Sequence, residues 1–270
     1  VNEKIDGLET QLNEFEAGSF SDTTTFDGKV NFTVGALSYD GTGTDTVSNE
    51  AALFQYMWQG NLNTSFTGDD NLYVRLKTGN ASSWTKDKDH GTYLSSSKGN
   101  SDVLKVDKIW YSFPVGESNT IYVGPKIENY YMHGTTPSIY KPVLKAFTLG
   151  GNAAAYGAST DTGAGWAYKA DNGFAVSSNI GTKSKTTKKV DGSYVETGLL
   201  TDESKTSWAT QIGLTKEQYS VSAMVNLKYN DWGDSYFSTA TGDDRNENST
   251  NYGLRAWWRP LETGTATPEI

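Results

Sequence analysis

The usual catalytic groups are scarce in this chain. Its two histidines, His90 and His133, both fall in long segments between candidate strands. Serines abound, so a Ser/His/Asp grouping can always be drawn, but no nucleophile-elbow motif supports one. Cysteine is absent, which excludes disulfides and thiolate metal sites. The acidic run TGDDRNEN (241–248) lacks the Asp spacing and the bidentate Glu of a calcium loop, so it reads as a solvated turn, with weak divalent binding as the other option. GTGTD (41–45) lacks the lysine and following helix of a phosphate loop and reads as linker. Neither catalysis nor a metal nor a cofactor is expected.

What remains is a set of amide and basic side chains at alternate positions: Gln55, Gln59, Asn61, Asn63, Arg75, Lys77, Lys108, Lys169, Gln211, Asn226, Lys228, Arg255 and Arg259. Acids are nearly absent from this set and sit in loops and turns instead, as at Asp69, Asp70, Asp161, Asp202, Asp231, Asp234, Asp243 and Asp244. If these side chains share a wet surface, a chain of net charge −9 has a basic wall. Like charges lining a passage bias which solutes cross it, here toward anions or neutral polar molecules. The competing expectation is that acids from an infolded loop pair with these bases and leave little selectivity. The overall negative charge argues against a nucleic-acid partner.

The elements that would position these residues are strands. FQYMWQGNLNTSF (54–66) places Phe54, Tyr56, Trp58, Gly60, Leu62, Thr64 and Phe66 on one face, and polar residues on the other with Met57 the exception. Its length suits a tilted bilayer crossing, which takes roughly 9–11 residues. Alternation, clear in some and weaker in others, marks nine further candidates at 29–37, 71–79, 105–115, 120–124, 165–170, 174–181, 207–215, 219–229 and 251–260. The stretch 105–115 is less regular, with bulky residues on both faces. Tight turns at 67–70, 116–118, 171–173 and 216–218 alternate with long links at 38–52, 80–104, 125–164, 182–206 and 230–250. A membrane barrel alternates in this way, with short periplasmic turns and long external loops, whereas a soluble sandwich has no reason to. Tyr56, Trp58, Trp166, Tyr168, Trp208, Tyr219, Tyr229, Tyr252 and Trp258 all lie on apolar faces, mostly near strand ends, where interfacial girdles place such rings. The fold class expected is therefore all-β, a transmembrane antiparallel up-and-down β-barrel over 19–270.

Residues 1–18, VNEKIDGLETQLNEFEAG, differ. Ile5, Leu8, Leu12 and Phe15 follow a/d spacing, so a short coiled coil or an amphipathic helix is expected, on the periplasmic side. The longest link, 125–164, is the candidate constriction loop. Its aromatics Tyr130, Tyr131, Tyr140 and Phe147 suggest packing inside, and Thr136-Pro137 suggests a helix over Ser138–Phe147 broken at Pro142. Lys126, Glu128, Lys141 and Lys145 would face the opening. An external flap is the alternative. Tyr73, Trp110 and Trp257 could stack sugars or simply pack.

FSDTTTFDGKVNF (20–32), the coil tail and NYGLRAWWRP (251–260) together resemble the cyanobacterial outer-membrane porins of the carbohydrate-selective OprB-type group, some of which are labelled iron-uptake porins. The resemblance implies a barrel of about sixteen strands. It also implies a homotrimer in outer-membrane lipid, and a wall-binding domain ahead of the coil. It implies passive passage of sugars, inorganic ions or iron. Ten candidate strands then make this a piece of a longer chain, starting at Val1 by trimming or processing. A secreted β-rich carbohydrate-binding module is the rival from another class, and it would be soluble without detergent.

Overall fold

The computed structural model describes residues 23–38, 52–85, 92–136, 138–157, 162–183, 185–188, 194–199, 204–230 and 248–259. The coil expected at 1–18 lies outside the described residues. The described residues form twelve strands: β1 (Thr24–Gly35), β2 (Leu53–Thr64), β3 (Asn71–Gly79), β4 (Lys105–Val115), β5 (Asn119–Lys126), β6 (Thr162–Lys169), β7 (Phe174–Lys183), β8 (Lys185–Lys188), β9 (Tyr194–Thr197), β10 (Lys205–Thr215), β11 (Tyr219–Tyr229) and β12 (Ser249–Trp258). Ten form one antiparallel meander in the order β1-β2-β3-β4-β5-β6-β7-β10-β11-β12, matching the ten candidates one for one. Among the described residues β1 and β12 do not pair with each other. The separate β8–β9 hairpin occupies the link expected at 182–206. It escapes an apolar-alternation search because KTTK carries no apolar residue, although the Asp191-Gly192 pair between its strands is a hairpin signal.

The sheet is inside-out relative to a soluble protein. On its outer face Leu254, Val34 and Tyr252 are 79%, 77% and 75% exposed. On its inner face Ser177, Ser207 and Asn226 are 0% exposed. Strand periodicity produces this directly. In β10, Trp208 and Ile212 point out while Ser207, Ala209 and Gln211 point in. Register preserves the segregation. Val34 pairs with Phe54 and Val30 with Trp58 outside, while Asp27 pairs with Asn61 and Lys29 with Gln59 inside. Outer rings meet across strands, Phe26 with Trp58 at 6.3 Å and Phe32 with Phe54 at 6.2 Å. One face wet and one face apolar suits a lipid boundary, and a single curved sheet is not a sandwich.

Short turns close one end. Gly173, at φ +86°, fits the β6–β7 turn so tightly that a Cβ would meet the Thr215 carbonyl oxygen at 2.0 Å. At the β2–β3 turn the Asp70 carboxylate accepts from the Phe66 and Thr67 amides, from the Ser65 and Thr67 hydroxyls, and from Tyr111 Oη of β4 at 2.5 Å. The Tyr111 hydrogen bond, with these others, holds Asp70 well below the usual carboxylate range.

β4 explains its own irregular sequence. Arg75 of β3 faces Lys108, but the next residue, Leu76, faces Val106, so Asp107 is an extra residue in β4. Such a bulge re-aims a side chain. Here Asp107 turns to the same side as Arg75.

Candidate functional site

The β5–β6 connection packs against the polar face of the sheet. Its described part runs through 3₁₀ turns at Asn129–Met132 and Lys145–Gly151 and a short helix, Ala153–Tyr156. Ile127, Met132, Asn129, Ala155 and Tyr156 are fully buried. Glycines on inner-facing positions let the loop approach. A Cβ on Gly163 would meet Ile127 at 2.8 Å, on Gly165 Met132 Sδ at 2.7 Å, on Gly213 Thr135 Cγ2 at 2.5 Å and on Gly253 the Tyr156 ring at 2.6 Å.

Polar wall side chains then fasten the loop backbone. Gln211 Oε1 accepts from the Thr135 amide at 2.8 Å, and Gln211 Nε2 donates to the Thr135 carbonyl at 3.3 Å. The Gly134 amide donates to Ser177 Oγ at 2.9 Å. Asn226 Nδ2 donates to the Ala155 carbonyl at 3.1 Å, and Arg255 Nη1 to the Gly150 carbonyl at 2.6 Å. Tyr156 Oη shares a hydrogen bond with Ser222 Oγ at 3.1 Å. His133 is buried between Asn179 and the loop. Asn179 Nδ2 can only donate, so His133 Nδ1 accepts at 3.2 Å and Nε2 donates to the Tyr156 carbonyl at 2.8 Å. Burial pushes this imidazole down to about 4, partly opposed by the Tyr156 hydrogen bond, so it is neutral near pH 7.

On the opposite side the loop carries a carboxylate into a basic group. Glu128 Oε1 lies 3.1 Å from Arg75 Nη2 and 3.7 Å from Lys108 Nζ, and Glu128 Oε2 accepts from Tyr130 Oη. Asp107 Oδ2 lies 2.5 Å from Arg75 Nη2, and Asp107 Oδ1 lies 3.3 Å from Lys98 Nζ. Burial alone would raise the Glu128 carboxyl, but the charges of Arg75 and Lys108 override it and hold it below its ordinary value. Above this group Tyr73 and Trp110 stack at 4.0 Å, with Tyr131 4.7 Å from Trp110. Tyr73 and Trp110 are buried, so here they pack.

The remaining expected residues divide. Gln55 is buried and accepts from Thr85 Oγ1 at 2.6 Å. Gln59, Asn61 and Asn63 form a half-buried amide ladder: Gln59 Nε2 donates to Asn61 Oδ1 at 3.0 Å, and Asn61 and Asn63 both donate to Asp27. Lys77 is half-buried two residues along from Arg75, and Lys228 is buried on β11. Arg259 follows β12, with its guanidinium 5.7 Å from the Trp257 ring. Lys126 is exposed at the end of β5 and donates to the Val106 carbonyl at 3.1 Å. Tyr130, Tyr131, Lys141 and Lys145 belong to the loop, and the first three line an open cavity of ≈ 840 Å³ together with Lys29, His133 and Lys169. No helix forms over the described part of 138–144. That segment is extended against 93–95, with Ser95 N donating to the Val143 carbonyl at 2.7 Å and Lys145 N to the Tyr93 carbonyl at 2.8 Å. Pro142 has no amide to give a helix, and its carbonyl is taken by Ser95 Oγ.

Sequence reasoning missed Asp27, Lys29 and Asp107. The first two were legible, since they alternate with the apolar Phe26, Val30 and Phe32. Asp107 was not, because strict alternation places it outward and only the bulge brings it in.

An up-and-down sheet, apolar outside and polar inside and wrapped around one of its own loops, defines a membrane β-barrel wall. The family model of the carbohydrate-selective porins, OprB family, matches residues 3–265, and the chain belongs to that family. It is also similar to an uncharacterized protein of Nostoc sp., 29% identical over 188 residues, which covers 66% of this chain and 31% of that protein. The match thus spans about a third of the relative's length.

Proposed function

We propose that this chain builds part of the wall of a passive outer-membrane channel for small polar solutes, sugars and inorganic ions among them. The observation that carries the reading is the inverted burial: Leu254, Val34 and Tyr252 exposed outside, Ser177, Ser207 and Asn226 buried inside. In water that arrangement leaves a large apolar surface unsatisfied, and in lipid it is the stable one. The loop from Ile127 to Gly157 is the constriction element. The short turns and the amino-terminal segment face the periplasm and the long connections face outward, as the strict alternation of connection lengths suggests. Assembly as a homotrimer, and attachment to the cell wall through a preceding domain, extend the same reading. Membership of a porin family supports transport rather than catalysis. A soluble binding module is disfavoured by the exposed apolar face.

Planar-bilayer recording on the intact parent protein tests this. Stepwise, voltage-independent conductance is the expected result. A protein that dissolves without detergent and never conducts refutes the reading.

A further inference from the structure

Two sets of basic groups on the inner face and its loops behave differently. Arg75, Lys98 and Lys108 are each within 4 Å of Asp107 or Glu128, so two acids offset most of their charge inside the wall. Lys29, Lys141 and Lys169 are not. They line the ≈ 840 Å³ cavity, none of its described lining residues is Asp or Glu, and none of the three lysines joins an ion pair among the described residues. Neutral donors stand beside the lysines. The hydroxyl-bearing side chains of Tyr131 and Tyr140 also line the cavity. Ammonium groups without acidic partners, lining one cavity with hydroxyl groups, are the chemistry that holds an oxyanion. The volume exceeds what a bare ion needs and admits a sugar-sized molecule.

We propose that the cavity lined by Lys29, Lys141 and Lys169 is an anion subsite on the permeation path, holding a phosphate or carboxylate group, free or borne on a small sugar. The inference rests on the channel reading and moves anion preference from Arg75 and Lys108 to these lysines.

The test is the intact porin in planar bilayers, wild type against K29Q/K141Q/K169Q, with Lys141→Glu as a single change on the loop. In a potassium chloride gradient the chloride-to-potassium permeability ratio should fall about fivefold in the triple variant, an order-of-magnitude figure for removing three partly screened charges. Lys141→Glu should lower it alone. Phosphate and glucose 6-phosphate should reduce wild-type current at lower concentrations than glucose, and lose that advantage in the triple variant. Equal block by phosphate and glucose 6-phosphate assigns the site to the anion alone, and stronger block by the latter assigns it to the acidic sugar. A conducting triple variant with an unchanged ratio overturns the subsite and leaves the channel standing. A wild type that never conducts refutes the channel reading. Phosphate titration of the detergent-solubilised protein, followed by tryptophan fluorescence, then decides the subsite: saturation lost in the variant sustains it, and identical curves overturn it.

Discussion

Replacing Glu128 by glutamine should loosen the infolded loop without disturbing the sheet. Glu128 sits 3.1 Å from Arg75 and 3.7 Å from Lys108, all three nearly buried. At an effective dielectric of about 20 these separations correspond to attractions of about 5 and 4.5 kcal/mol. Most of that is offset by taking three charges out of water, and removing one partner of a buried pair costs about 3–5 kcal/mol. Glutamine keeps an acceptor for Arg75, and Asp107 still holds Arg75 at 2.5 Å, so the main loss is the attraction between Glu128 and Lys108. The cost therefore falls at the low end, about 3 kcal/mol, roughly a hundredfold in the docking equilibrium. Strand pairing is made by backbone groups and the substitution changes only a side chain, so the loss belongs to the loop. Hydrogen exchange reads this directly. Protection of the Gly134 and Thr135 amides, which donate to Ser177 and Gln211, should fall about a hundredfold, while β10 and β11 amides keep theirs. Unchanged loop protection would refute the claim that Glu128 anchors the loop. An equal loss in β10 and β11 would refute the separation of loop from wall.

Acid should release the same loop from its other side. His133 titrates near 4 when docked against an ordinary 6.5, so docking is fully supported above about 6.5 and weakens as pH falls toward 4, by about 3 kcal/mol in all. Single-channel flicker should rise across that window and flatten in His133→Gln. Flicker independent of pH in the wild type counts against the assignment. Gly165→Leu should expel the loop, because even a Cβ would press Met132 Sδ at 2.7 Å and Asn179 Cβ at 2.8 Å. The expected signature is a larger unitary conductance with strand exchange unchanged, at an overpacking cost of about 1–3 kcal/mol. Leu254→Arg, on the outer face of β12, should cost about 2–4 kcal/mol of membrane-folded stability, read as a lower urea midpoint in liposomes. Gln59→Arg on the inner face should cost much less, and equal costs would show that the faces are misassigned.

The strands were readable because burial on one side of a sheet writes a period of two into the sequence. β2 and β11 show it plainly, and all ten sheet strands were found. Where the period fails, a local device is responsible. β4 looks two-sided because Asp107 is an extra residue, and the β8–β9 hairpin carries no apolar side at all in KTTK. The loop was recognisable as a long link, but its path was not. Its course depends on pairings such as Gln211 with Thr135, 76 residues apart, that leave no mark on local sequence. The charge pattern was half legible. Basic side chains could be assigned to the wall from their parity, but whether each meets an acid is decided by the fold.

Irregular backbone at membrane depth is tolerated only where its amides and carbonyls are satisfied by protein or water. The wall meets this demand with two residue types used together. Glycine gives the approach and an amide or hydroxyl beside it gives the partner. Gly213 and Gln211 receive Thr135 from one strand, and Gly165 with its cross-strand neighbour Asn179 receives Met132 and His133. Gln211, Asn226 and Ser177 are thereby committed to the loop and are not free to greet a solute. Arg75 and Lys108 are committed to Glu128 in the same way. On the proposed channel reading, the inner face would thus contribute less to selectivity than its polar content suggests. On that reading, a permeant would meet the surface these pairings leave open: the Gln59–Asn61–Asn63 ladder against Asp27, and the cavity of Lys29, Lys141 and Lys169. One is an acid-backed amide strip and the other a basic basin, and they adjoin on β1, where Asp27 and Lys29 lie two residues apart on the same face, so on the channel reading a mutation's effect on permeation should depend on which of the two it touches.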